Sequence, residues 1–241
     1  EHHELRRLDF ERVRQPCGCG RGHSGKLGAV AQGGKRPRGA GTGHRTGPSA
    51  AKFIGMHISD AIKGRRSVKR FTDRPITKEE IETLLAAATL APNHRLTQPW
   101  RFYVLGPAAR HSYGLALGAR KAKKVDDPAA GAALRETVGA EHRALPGMIA
   151  VAVVNTENTE QREEDYAAAM MAVQNIALTA VSLGLATHIK TGAVMHDPAA
   201  RAAVGLPDAQ RIVAIVNVGA PSEDVPAKKR EPAAAFTTWV P

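Results

Sequence analysis

Gly64-Arg65-Arg66-Ser67-Val68-Lys69-Arg70-Phe71 concentrates groups suited to a small polyanion. Two adjacent guanidiniums offer paired donors that match phosphate oxygens, and the Ser67 hydroxyl adds a short neutral donor. Arg70 is near enough along the chain to join them if the segment leaves a short helix at Gly64 and turns extended. An isolated Arg-Arg-Ser more often belongs to a solvated basic loop, so the surroundings decide. Twenty residues after Phe71 begins Ala91-Pro92-Asn93-His94-Arg95-Leu96-Thr97-Gln98-Pro99-Trp100, in which Asn93, His94 and Gln98 can hydrogen-bond a ring edge or polyol hydroxyls. His94 alone is also compatible with a helix C-cap that satisfies carbonyls.

The elements that must hold these groups are legible. Thr77, with Glu80 three residues on, forms a capping box. Ile81, Leu84, Leu85 and Ala88 then fall on one helical face, and Pro92 ends the helix. The polar loop therefore follows a helix and leads into a strand at Phe102-Tyr103-Val104-Leu105, the setting in which ligand contacts concentrate. Met148–Val154 reads as a buried strand, and Arg211–Pro221 as a last core strand running into a turn. Tyr166–Leu183 is apolar nearly all round, broken by Gln174 and Asn175, with Gly184 as its stop. Its alanines, its polar interruptions and the lack of a basic flank argue against a membrane span and for a buried helix. Charged, alanine-rich residues 119–145 are weakly periodic and read as a mobile cover over a pocket.

In order and content these features resemble the FMN-dependent nitroreductase family, in particular its small, divergent NAD(P)H nitroreductase branch with a histidine after Ala-Pro-Asp/Asn. The likeness covers residues 56–241, although Leu96 stands where the family usually has Asn. It implies an α+β fold with a mixed central sheet flanked by helices, an intertwined homodimer with Tyr166–Leu183 at its core, and FMN near the subunit interface. By the resemblance, Arg65, Arg66 and Ser67 meet the cofactor phosphate and Asn93, His94 and Gln98 meet the flavin. Ile189, Lys190 and Thr191 border the ring, with Lys190 placing positive charge at its pyrimidine end. Lys228 and Arg230 close on the phosphate from the C-terminal tail. Thr179, Ala180, Val181, Ser182, Leu183 and Gly184 are the implied neighbours of the nicotinamide nucleotide. No side chain is expected to act as catalytic acid or base, because the flavin carries the chemistry. NADH or NADPH would donate hydride in a ping-pong cycle, with a nitroaromatic or quinone-like acceptor following. A flavin-sequestering protein without turnover stays open as an alternative. So does specialised chemistry such as reductive dehalogenation or flavin fragmentation.

Composition separates this domain from the residues before it. The 241-residue chain carries a net charge of +11, of which residues 1–55 contribute +7 and the remainder +4. Those first 55 residues are rich in Gly and Arg, show no apolar period, and are expected to be disordered. A misassigned start or an added leader is the simplest account of them, with the domain beginning at Met56. Their charge suits nucleic acid poorly, since only Phe10 and Phe53 could stack. Gly20–Lys26 imitates a phosphate loop but has Leu27 where Ser or Thr is required. Cys17, Cys19 and His23 lack a second pair to complete a metal site, so no metal is expected. The domain itself has no cysteine and no Gly-x-Gly-x-x-Gly fingerprint, and a cytoplasmic setting, without nucleic acid or membrane, is the default.

Overall fold

The computed structural model describes residues 55–241. The expectations placed on Cys17, Cys19, His23 and the Gly20–Lys26 segment lie outside the described residues. The elements run α1 (Ile58–Gly64), α2 (Lys78–Thr89), β1 (Trp100–Val104), α3 (Pro107–Ala122), α4 (Pro128–Arg143), β2 (Gly147–Val154), α5 (Thr159–Ser182), β3 (Ala186–Lys190), α6 (Pro198–Val204) and β4 (Gln210–Gly219).

The four strands form one sheet in the order β1-β2-β4-β3, and every pairing is antiparallel. The parallel contribution to the expected mixed sheet is a single bridge, Ser67 beside Thr187. β2 is buried on both faces, which explains its unbroken apolar run. On one face Ile149, Val151, Val153, Val216 and Val218 pack against α2 and α5. On the other, Met148, Ala150, Ile212 and Ile215 pack against Tyr113 and Ala116 of α3 and Ala200 and Val204 of α6. A bulge opposite Val151 and Ala152 sets Val213 and Ala214 on the same face and so re-aims the end of β4.

Both halves of the expected capping box are present at α2: Thr77 accepts from the Glu80 amide, and Glu80 accepts from the Thr77 amide. α5 buries Ala168, Ala169, Ala172, Val173, Ile176, Ala177 and Ala180, and the Asn175 amide donates to the Ala87 carbonyl, which pins α2 to it. Tyr166 and Met171 on the same helix are exposed. Gly184 takes φ 70°, the left-handed conformation that lets the chain turn from α5 into β3. No helix among the described residues is long and apolar enough to cross a membrane.

Residues 119–145 are more regular than their sequence suggests. Residues 119–122 close α3 and residues 128–143 make up α4, two 16-residue helices that each start with proline. The helices meet through glycine: a Cβ at Gly118 would lie 2.7 Å from the Arg135 Cα, and one at Gly139 2.7 Å from a Leu115 methyl. Contact through residues without side chains gives little hydrophobic period, so the signal that marks most packed helices is weak here.

Candidate active site

α1 ends at Gly64, Arg65 is already extended, and the strap that follows is stitched onto the sheet. The Val68 amide donates to the Thr187 carbonyl at 3.0 Å, and Phe71 bridges Pro221 while packing against Gly219. Val68 points inward and is buried, which leaves its neighbours Ser67 and Lys69 to face a cavity of about 400 Å³. Lys63 lines that cavity from the end of α1, Arg65, Arg66 and Lys69 from the strap, and Lys228 and Arg230 from the C-terminal tail, with Ser67 and His188 between them. No carboxylate among the described residues lines it. Five of the residues named from sequence thus meet in one place although Ser67 and Lys228, the nearest members of the two groups, are 161 positions apart, drawn from opposite ends of the domain.

Arg66 has a further task. Its guanidinium donates to the carbonyls of Lys63 (2.5 Å), Arg65 (3.0 Å) and Val225 (3.2 Å). These bonds clamp the tail to the strap and so hold Lys228 and Arg230 beside Arg65.

Lys69 and His188 also line a neighbouring cavity of about 570 Å³, so the two spaces adjoin along these side chains. The floor of the second is the sheet: His188 and Lys190 alternate on β3, and Asn217 of β4 lies opposite His188. Its roof is helical, from Leu117 and Lys121 of α3 to Glu141 and His142 of α4, with Leu145 beyond. The Lys190 Nζ is 3.1 Å from His142 Nε2, and His142 Nδ1 is 2.7 Å from the Val138 carbonyl. Burial pushes the Lys190 ammonium below its usual value, helped by Lys121 and opposed by Glu141. Burial and then the Lys190 charge likewise lower His142, and the same two causes lower His188. Asn217 is only 3% exposed, and its Oδ1 has no partner among the described residues. The Ile189 side chain turns to the α5 side of the sheet, whereas Thr191 is exposed where β3 ends.

Asn93, His94 and Gln98 sit elsewhere. Their loop contains a short 3₁₀ turn, and Arg95, Leu96 and Gln98 all take positive φ (57°, 50° and 44°). Such backbone is unfavourable for these residue types and persists only where the surroundings hold it. The holding network is half-buried and anchored on the buried Asp165 of α5: Thr97 donates to Asp165, the Asn93 amide group donates to Thr97, and Asn93 Oδ1 accepts from the Gln98 backbone. His94 lies 3.8 Å from Glu164, and Arg95 3.6 Å from Glu160. This loop feeds β1 at one sheet edge, while Lys190 lies on β3 at the other, three strand spacings or about 14 Å across. From Glu164 to Val181, which borders the clamp at Arg66, α5 rises about 25 Å. Within one chain the loop and the basic cavity are therefore far apart.

The stretch Thr179–Gly184 forms the last turn of α5 and its exit. Val181 and Gly184 line a third cavity of about 370 Å³ with Arg66, Glu223 and Asp224, whereas Ala180 is wholly buried and the Thr179 carbonyl accepts from the Ser182 hydroxyl. Leu183 caps the helix and packs against the core.

Sequence reasoning missed Lys63, Lys69, His142, His188 and Asn217. Lys69 was open to discovery, since in an extended strap it shares a side with Ser67 and Arg65 by the period of two. His188 and Lys190 carry the same period. His142 and Asn217 had no local signal, for each becomes informative only when α4 is laid over the sheet.

The Nitroreductase family matches residues 62–220, and the chain belongs to it. It is 32% identical over 175 residues to "Putative NAD(P)H nitroreductase YfhC" of Bacillus subtilis, covering 73% of this chain and 90% of that protein. A solved nitroreductase-like family protein from Bacillus cereus superposes with a TM-score of 0.67 at 29% identity, over 77% of this chain and 96% of that one. A second structure, from Desulfovibrio desulfuricans and described as "a putative nitroreductase in complex with fmn", gives a TM-score of 0.59 at 26% identity, over 76% of this chain and 96% of that one.

Proposed function

We propose that the protein is an FMN-dependent NAD(P)H oxidoreductase that works as a homodimer. The observation that carries this reading is the pair of adjoining cavities: a basic one built by Arg65, Ser67, Lys69, Lys228 and Arg230, and a larger one floored by Lys190 and Asn217. The donor set fits the cofactor. Several cations and a hydroxyl suit a dianionic phosphate, and an ammonium beside an orphaned amide oxygen suits a planar heterocycle with both acceptors and an N–H donor. Arg65, Ser67, Lys228 and Arg230 would hold the phosphate, and Lys190 and Asn217 the ring.

When bound, FMN supplies two-electron chemistry, accepting hydride from NADH or NADPH and passing it to a nitroaromatic or quinone-like acceptor in a ping-pong cycle. The chain's own residues bind, orient and polarise. The Lys190 ammonium favours added negative charge in the larger cavity, which α3 and α4 line from above.

The placement of the second polar loop supports dimerisation. Asn93, His94 and Gln98 cannot reach their own chain's basic cavity, but a second copy packed along α5 can bring its loop to it. The exposed Tyr166 and Met171 on α5 supply apolar surface for that contact, as do Phe236 and Trp239 in a tail that is 79% and 90% exposed at these side chains. A cytoplasmic setting, where NAD(P)H is plentiful, accords with this reading.

The test is the visible spectrum of residues 56–241 loaded with FMN, recorded without oxygen before and after NADPH and then NADH, together with sedimentation. Flavin bands that bleach in a species of twice the chain mass support the reading. A protein that cannot be loaded with FMN overturns it.

A further inference from the structure

We infer that His142 of α4 is the positioning residue for Lys190: its neutral imidazole accepts from the ammonium and sets it toward Asn217, so that Lys190 raises the reduction potential of a flavin in that cavity. The inference rests on the flavin reading above, but its geometry stands in the protein alone.

The two contacts of the ring fix its state. A carbonyl oxygen can only accept, so His142 Nδ1, 2.7 Å from the Val138 oxygen, must carry a proton. An ammonium can only donate, so His142 Nε2, 3.1 Å from Lys190 Nζ, must present its lone pair. Both bonds are satisfied together in one form alone, the neutral Nδ1–H tautomer. An imidazolium would set N–H against NH₃⁺. The ring is 6% exposed and tilted against Tyr113, with centroids 6.0 Å apart, so it cannot turn away to relieve that clash. Its depressed proton affinity, from burial and from Lys190, agrees with this assignment.

What a neutral acceptor accomplishes is clear from the other groups around the cavity. Glu141 precedes His142 on α4 and lines the same space, while Lys121 of α3, His188 of β3, and Lys69 and Arg70 of the strap are its basic or titratable neighbours. A flexible lysine left free would be drawn to Glu141, and an ion pair there would cancel its charge. His142 holds the ammonium without cancelling it. The orphaned Asn217 Oδ1, on the same floor, remains an acceptor for a ligand donor beside that retained cation.

The experiment compares the full chain, loaded with FMN, as wild type, His142→Leu and His142→Gln. The midpoint potential of the bound flavin is read against a reference dye, and FMN affinity in the oxidised state by fluorescence. His142→Leu should weaken binding of reduced relative to oxidised FMN about tenfold, which lowers the two-electron potential by about 30 mV. His142→Gln, whose side-chain oxygen can accept from Lys190, should restore most of it. A potential unchanged in His142→Leu, or no better in His142→Gln, overturns the inference. A wild-type chain that takes up no FMN instead overturns the flavin reading itself. Should the leucine variant not fold, nitrogen NMR of the wild-type His142 ring decides without any flavin: the Nδ1–H tautomer supports the assignment, and imidazolium or the Nε2–H tautomer refutes it.

Discussion

Replacing Arg65 and Ser67 together by alanine should damage recognition of the phosphate and little else. Arg65 is half-buried, lines the basic cavity, and has no side-chain hydrogen bond to the described residues, so its donors are free for a ligand. Arg66 differs, because its bonds to Lys63, Arg65 and Val225 carbonyls commit it to the clamp. A charged hydrogen bond contributes about 1.5–3 kcal/mol and a neutral one about 0.5–1.5 kcal/mol, so the double change should cost about 2–4.5 kcal/mol of phosphate interaction. At about 1.4 kcal/mol per decade this is a thirtyfold to thousandfold loss of FMN affinity. Riboflavin has the same ring and ribityl chain without the phosphate, so its affinity should barely change. Fluorescence titration of both flavins against wild type and the double variant gives the ratio directly. Equal losses for FMN and riboflavin would show that the phosphate is not bound here. Arg66→Ala should instead release the tail, seen as faster proteolysis at Lys228 and Lys229.

Gly219→Ala should lower stability by about 1–3 kcal/mol through overpacking, because the new Cβ would meet Phe71 Cδ1 at 2.8 Å and Cγ at 2.9 Å. For a domain of this size the thermal midpoint moves by about 2–4 °C per kcal/mol, and an unchanged midpoint would contradict the close approach. Tyr113→Phe should be neutral or stabilising by about 1 kcal/mol, since burial pushes the phenol up to about 12 and its hydroxyl finds no partner among the described residues. A fall in its urea midpoint would reveal a bond that the structure does not contain. His142 and His188 both titrate below their usual 6.5, so on acidification below about that value the unfolded chain takes up more protons than the native one. Stability should therefore rise with pH through this window and be lost as pH falls, and His142→Gln should flatten the slope measured by urea unfolding from pH 5 to 7. Asp165→Ala removes the buried acceptor of Thr97, and limited trypsin digestion should then cut after Arg95 far faster than in the wild type.

Local order in this protein is written locally. The capping box at Thr77 and Glu80, the apolar runs of β2 and β4, and the glycine that ends α5 depend on neighbours within a few residues, and the structure bears each of them out. The basic cluster was legible for a similar reason: Arg65 and Ser67 are two positions apart, and an extended strap sets them on one side. The sequence was least informative where small residues do the packing, as between α3 and α4, because Gly114, Gly118 and Gly139 let backbones meet without an apolar stripe.

What only the tertiary structure decided is which groups face one another. Arg66 reads as a third phosphate donor from its type, yet three carbonyls claim it, one of them at Val225 far along the chain. His142 looks like one more polar residue on an alanine-rich helix until α4 lies over β3 and sets its ring against Lys190. The Asn93–Gln98 loop and the basic cavity both look like parts of one site in sequence, and the fold sets them at opposite edges of the sheet. Side-chain identity fixes what a group can donate or accept, and short-range periodicity fixes which side of an element it occupies. The partner it finds depends on contacts between elements far apart in sequence, and those exist only once the chain has packed around its sheet.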